Sequence, residues 1–187
     1  MFKQIKKMIT FSILLTTPTL VAANKVNESV ENNIKNLVSS RINIEVVQNK
    51  SIIQSMVFNC QFYTATPYLM SPDGGQSSSE SFLYYLNNDS LGLMTIPYTT
   101  EPLPELNFCL KPEFLVNSKE QAQLLFEAIE TVYPAESMFD ERFEKQLLKV
   151  DNGWVYINGE FFDEKKGYIA ETTPQGKVIK ITRSLNL

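Results

Sequence analysis

The side chains available for chemistry are limited by the absence of histidine. The chain has 187 residues, with 21 Asp and Glu, two Cys and no His. A Ser-His-Asp triad, a Cys-His pair and the commonest zinc sites need an imidazole, so they are excluded in their usual form. Gly74-Gly75 lacks both the pattern of a phosphate-binding loop and the helix that follows one. We expect no cofactor and no metal, and catalysis stays open but is not favoured.

Cys60 and Cys109 are the two thiols, and we expect them to form a disulfide. In an oxidising compartment, a single pair of cysteines most simply forms one bond. The alternative is two free thiols, one of them catalytic. That alternative is weak because no histidine is present to activate a thiol.

Carboxylates offer the remaining catalytic option, which is glycoside hydrolysis by two acids across a sugar cleft. Glu160, Asp163, Glu164 and Glu171 lie close in sequence to the aromatic residues of a predicted hairpin. An acid beside an aromatic ring suits contact with sugar, but a half-buried hairpin with charged turns has the same composition. A carboxylate-dependent polysaccharide hydrolase is therefore an alternative function.

The segment from Lys119 to Lys145 is acidic, with seven acidic and three basic residues. Glu120, Glu127 and Glu130 avoid the apolar stripe of the predicted helix, so we expect them to face solvent together. One interpretation is an ordinary solvated helix face. The other is a docking surface for a basic protein, since opposed potentials speed encounter and set orientation.

An aromatic cluster adjoins a polar loop. The Ser71–Ser81 segment is rich in Gly and Ser and is predicted to be a loop, and the aromatic residues that follow it are Phe82, Tyr84, Tyr85 and Tyr98. Tyrosine next to an adaptable polar loop is typical of binding surfaces, although core packing of at least half of these rings is the alternative. Tyr84 and Tyr85 join the three glutamates as candidate partner-binding residues.

Hydrophobic periodicity predicts an α+β fold, with an N-terminal helix, an antiparallel β-sheet, two central helices and a C-terminal antiparallel β-meander. The predicted helices are residues 27–40, a helix that begins at Ser118 with a Ser118–Gln121 capping box and ends before Pro134, and residues 138–149. The predicted strands are residues 44–48, 52–64, 82–86, 91–97, 106–110, a hairpin of 154–157 and 160–162 turning at Asn158-Gly159, then 168–172 and 177–183.

The first 23 residues have the three parts of a cleavable secretory signal peptide. Three lysines precede a short apolar stretch, and Val21-Ala22-Ala23 supplies small residues at the exit. A transmembrane anchor needs about 20 predominantly apolar residues, and this segment has Thr16, Thr17, Pro18 and Thr19 instead. We expect a single exported domain, residues 24–187, in the periplasm or outside the cell, without stable membrane insertion after cleavage.

Signal cleavage also changes the charge. It removes three lysines and no acid, which moves the formal net charge from −4 to −7. An acidic chain disfavours nucleic acid and anionic membranes and suits a basic protein partner. The sequence therefore favours a protein-binding module, such as an inhibitor or immunity factor against a basic partner. An assembly or structural accessory of the cell envelope is a further alternative.

The mass of the mature chain tests the signal peptide and the disulfide together. Cells that make the full-length chain should export a product that begins near Asn24 and is lighter than the reduced form by two hydrogen atoms. Reduction followed by alkylation should add two alkyl groups, whereas alkylation alone should add none. A product that keeps residues 1–23, or that is alkylated without reduction, would contradict the prediction.

Overall fold

The structure, a computed structural model, describes residues 28–38, 43–70, 73–78, 80–94, 100–133, 144–161, 164–184 and 187. The described helices are α1 (Glu28–Val38), α2 (Ile52–Val57), α3 (Pro104–Cys109) and α4 (Lys119–Val132). The described strands are β1 (Asn43–Asn49), β2 (Gln61–Met70), β3 (Gln76–Ser78), β4 (Phe82–Asn87), β5 (Ser90–Met94), β6 (Glu101–Pro102), β7 (Gln146–Val150), β8 (Gly153–Phe161), β9 (Glu164–Thr172) and β10 (Val178–Ser184). The predicted signal segment, residues 1–23, lies outside these ranges.

The strands form two antiparallel sheets. In the first sheet the order is β1-β2-β4-β5, and β3 pairs with the end of β2. In the second the order is β6-β10-β9-β8-β7, so β7 to β10 follow one another as a meander. The predicted α+β class and the C-terminal antiparallel meander are confirmed.

The main core joins both sheets to three helices. Its buried residues include Phe62 and Leu83 of the first sheet, Trp154 of the second, and side chains of α2, α3 and α4. Phe126 of α4 stacks on Tyr156 of β8, with 5.1 Å between ring centroids. A smaller cluster packs α1 against the other face of the first sheet. That sheet is therefore buried on both faces, whose side chains alternate along each strand.

The capping box of α4 forms as predicted. The backbone N–H of Gln121 donates to Ser118 Oγ at 3.3 Å, and the backbone N–H of Ser118 donates to Gln121 Oε1 at 3.1 Å. These two bonds satisfy N–H groups that a helix leaves open at its start. Leu125, Ile129 and Val132 then form part of the buried stripe.

Two predicted strands are partly or mostly helical. The predicted strand 52–64 is correct at residues 61–64, which belong to β2, but its first half is a helix. Residues 52–57 form α2, because Ser51 Oγ accepts a hydrogen bond from the Ile53 N–H at 3.2 Å and caps the turn. The burial follows helical spacing: Gln54 and Val57 are buried, while Ile52 is 82% exposed. The predicted strand 106–110 is largely α3, which Pro104 begins at a position where its missing N–H costs nothing.

Two predictions in the C-terminal half are also wrong. Residues 146–150 form β7 and not the end of a helix, because they pair with β8 in a full antiparallel register; residues 138–143 lie outside the described ranges. Asn158-Gly159 is not a turn. Strand β8 continues through it, and the register with β9 shifts between Ile157 and Gly159, as at a β-bulge.

The disulfide between Cys60 and Cys109 is confirmed. It joins the start of β2 to the end of α3, with 5.2 Å between the two Cα atoms. Backbone hydrogen bonds flank it: the Asn59 N–H donates to Cys109 O at 2.8 Å, and the Lys111 N–H donates to Val57 O at 3.0 Å. The α2–β2 junction and α3 therefore form one cross-linked unit.

Removing the cross-link should destabilise the domain. The bond closes a loop between residues 49 positions apart, for which the chain-entropy model gives about 4 kcal/mol. We expect the Cys60→Ala/Cys109→Ala double variant to lose about 2–4 kcal/mol in the free energy of unfolding, measured by urea titration. Dithiothreitol should destabilise the wild type but not the variant. Equal stabilities of oxidised wild type and variant would contradict this role.

Candidate functional site

The two candidate tyrosines of β4 face opposite sides of the first sheet. Tyr84 is only 5% exposed and packs in the cluster under α1. Tyr85 is partly buried against the main core, and its ring contacts Phe108 of α3 at 5.8 Å between centroids. Neighbouring residues of a strand alternate between faces, so the two tyrosines do not form a common surface.

Tyr85 and Phe108 together form what we call the aromatic surface. Phe108 is 59% exposed although it directly precedes the disulfide-bonded Cys109. Gly92 lies opposite Tyr85 on β5, and a Cβ at Gly92 would lie 2.4 Å from the tyrosine ring. The missing side chain therefore leaves room for Tyr85 to lie across the sheet towards α3.

Phe108 is a residue that the sequence analysis missed as a binding candidate. Its segment was predicted to be a strand, so it was not expected to stand out from a helix. The available signal was Pro104 followed by Leu106 and Cys109, which are buried three residues apart.

The three candidate glutamates of α4 have different surroundings. Glu120 is exposed, and hydrogen bonds to its own backbone and to the Ser118 side chain lower the pKa of its carboxyl. Glu127 is half-buried and accepts a hydrogen bond from Gln123 Nε2 at 2.7 Å. Both carboxylates remain at the surface of the helix, where their role in binding stays a prediction.

Glu130 holds α4 against the second sheet. Its carboxylate pairs with Lys145 Nζ at 2.8 Å, and it accepts hydrogen bonds from Tyr156 Oη at 3.1 Å and Asn158 Nδ2 at 3.2 Å. These contacts come from residues before β7 and within β8. Glu130 therefore does not share an unoccupied face with Glu120 and Glu127, and three donors already surround the oxygens that would meet a partner.

The phenol of Tyr156 lies beside the Glu130 carboxylate, and its ring stacks on Phe126. Burial is the main cause that raises the pKa of Tyr156, and the negative charge of Glu130 and the hydrogen bond to it add to the effect. Burial and the neighbouring carboxylate thus favour the neutral phenol in the folded state, and its O–H donates a hydrogen bond to Glu130.

The acidic residues considered for glycoside hydrolysis do not form a pair of neighbouring carboxylates among the described residues. Glu171 lies 3.6 Å from Lys180 in an exposed ion pair. Asp163 and Tyr98 lie outside the described residues, as do the side chains of Glu160 and Glu164. Among the described residues there is also no group of three or more His, Cys, Asp or Glu side chains arranged to hold a metal ion.

Two cavities adjoin the described elements. A groove of about 460 Å³ lies between the end of β1 and α2, lined by residues 48–52, 54–55 and 58–61, and contains no acid. A polar cavity of about 270 Å³ lies where β7, β9 and the segment before α4 meet, and Asp151 is its single acid. Neither cavity holds the two carboxylates that glycoside hydrolysis uses.

Comparisons with known proteins give no relative. The chain matches no protein-family model, no curated protein and no solved structure. None of the helices in the described ranges has the length and apolar character to cross a bilayer.

The Tyr156 environment predicts loss of stability at alkaline pH. An unfolded tyrosine titrates near 10.0, whereas the folded pKa of Tyr156 is higher. The folded state thus keeps a proton that the unfolded state releases, and stability should fall as the pH rises above about 10. Tyr156→Phe should lower the free energy of unfolding at pH 7 by about 1 kcal/mol and make its decline from pH 9.5 to 11.5 shallower. Parallel declines, measured by urea titration, would contradict this account.

Proposed function

We propose that this chain is an exported protein-binding module that docks on a basic protein through the aromatic surface of Tyr85 and Phe108. The observation that carries the proposal is the position of Phe108. A large aromatic side chain is 59% exposed at the one place where the backbone is covalently tied to a neighbouring element. Exposed aromatic residues with fixed geometry are the usual anchors of protein interfaces.

The support for Phe108 makes it suitable as an anchor. Leu106 and Cys109, on the opposite side of α3, are fully buried. The disulfide and the hydrogen bond from Asn59 N–H to Cys109 O fix the end of the helix. Because the backbone is already ordered, binding costs little further conformational entropy.

The neighbouring helix extends the accessible apolar area. The disulfide joins the end of α3 to the segment that follows α2, and Lys111 Nζ donates to Ser55 O of α2 at 2.6 Å. Met56 of α2 is 53% exposed. A flexible thioether at the surface can adapt to the shape of a partner.

The charge indicates what kind of protein would bind. The chain carries −4 as a whole and −7 without residues 1–23. Glu120 is exposed, and its lowered pKa keeps it ionised in mildly acidic surroundings. A net negative surface attracts a basic protein over a distance and suppresses binding of acidic ones. An inhibitor or immunity factor for a basic, wall-attacking enzyme has this chemistry.

The aromatic surface is tested by truncating its exposed ring. The mature domain would be immobilised and used to capture proteins from the envelope and medium of producing cells, and captured basic proteins would then be purified. We expect Phe108→Ala to weaken the affinity for such a protein at least about tenfold, because truncating a central interface anchor typically costs about 2 kcal/mol or more.

The matched control is Leu69→Ala, which removes another exposed apolar side chain at the far end of β2, where Leu69 is 63% exposed. It should leave the affinity unchanged. Higher salt should slow association of the wild type, since the attraction is screened. The proposal fails if the two variants bind alike, or if the proteins captured specifically are acidic.

A further inference from the structure

The groove between β1 and α2 contains a buried amide without a partner. Gln54 lines this groove and is 5% exposed, and its Nε2 atom makes no hydrogen bond. Gln54 is the polar member of the buried face of α2, beside Val57. A buried N–H donor that lacks an acceptor is costly, so its retention in a core position needs an explanation.

The side-chain amide of Gln61, also in the groove lining, already makes hydrogen bonds. Gln61 Oε1 accepts hydrogen bonds from Gln48 Nε2 at 3.1 Å and from Tyr63 Oη at 2.8 Å. Both lone pairs of that oxygen are therefore used, and the remaining hydrogen-bonding capacity of the Gln61 side chain is that of a donor. Gln54 and Gln61 thus both contribute side chains with unused N–H groups to the groove lining, and the N–H group of Gln54 is buried in the free protein.

The charge of the groove, like its N–H donors, favours a ligand that carries negative charge or hydrogen-bond acceptors. Lys50 is the single charged residue of the lining, and no Asp or Glu is part of it. Ile52, which is largely exposed, supplies apolar contact area beside the polar groups. The volume of about 460 Å³ lies within the range of small-ligand sites, which is about 300–1,000 Å³.

We propose that this groove binds the carboxyl-terminal end of a peptide. The carboxylate is recognised by Lys50 and the Gln61 amide, and an apolar side chain rests on Ile52. A carbonyl oxygen of the peptide accepts from Gln54 Nε2, which is buried in the free protein and turns towards the groove when the peptide binds. An anionic, oxygen-bearing ligand matches a site made of donors and one cation. Side-chain amides suit peptide groups, which offer acceptors in fixed positions along the chain.

The groove and the aromatic surface are separate sites. No residue of the groove lining is shared with Tyr85 or Phe108, although Cys60 in the lining is bonded to Cys109. Peptide binding therefore does not depend on the proposed protein partner, and each proposal can fail alone.

The direct probe is the side-chain amide signal of Gln54 in nitrogen-15 NMR spectra of the oxidised mature domain. The ligands would be an equimolar library of tripeptides with free carboxyl termini, the same library with amidated termini, and chitotriose as a neutral sugar. We expect the free acids to shift the Gln54 and Gln61 amide signals, and the amidated peptides to bind at least about tenfold more weakly. Fusing the best tripeptide to the C-terminus of a folded carrier protein would show whether the groove accepts the C-termini of proteins or only free peptides.

Two pairs of variants test the residues. Gln54→Met keeps the shape but removes the buried donor; it should abolish peptide binding and raise the melting temperature by about 2–4 °C. Gln76→Met changes an exposed glutamine of β3 and should do neither. Lys50→Ala should weaken binding about two- to fivefold, whereas Lys119→Ala on α4 should not.

Three results would overturn the proposal. They are an absence of Gln54 shifts with any free acid, equal binding of acids and amides, or a response to chitotriose alone. Unchanged peptide binding by Gln54→Met would remove the assigned role of the buried amide. The melting temperature of that variant shows whether it is folded, so a loss of binding in a stabilised protein is not a folding defect.

Discussion

A covalent bond fixes the region on which both proposed sites depend. Cys60 lies in the groove lining, and Cys109 directly follows the exposed Phe108. The bond joins α3 to the segment directly after α2, and both are six-residue helices too short to be stable by their own hydrogen bonds. Because the cross-link forms in oxidising surroundings, the rigidity of both surfaces is coupled to the redox state of the compartment in which the chain folds.

Local signals predicted the fold correctly where an element is determined by interactions between residues close in sequence. The capping box at Ser118 and Gln121 marked the start of α4, since both partners lie within four residues. The strands on either side of Pro174 were correctly placed, because Gly176 has a φ of +81° and closes the turn between them. Residues 52–57 and 106–110 were assigned wrongly, since periods of two and 3.6 are hard to distinguish over so few residues.

Contacts between distant parts of the chain explain the remaining differences. Asn158-Gly159 is a strong turn signal, yet pairing of β8 with β9 along its whole length makes it a bulge. Glu130 looked like a surface acid, but its donors Tyr156 and Asn158 lie 26 and 28 residues away. Tyr85 was selected with Tyr84, although alternation places the first beside Phe108 and the second under α1. The unpaired amide of Gln54 had no sequence signal, because its segment was predicted to be a strand.

The edge of the second sheet has a consequence for how the chain behaves among its own copies. Strand β6 has two residues, and Pro102 lies opposite Thr182 of β10. Proline has no amide hydrogen, so this edge strand has one fewer donor for pairing with a further strand. A strand of two residues also provides few backbone groups with which another strand could pair. Growth of the sheet into fibrils is therefore hindered on the β6 side.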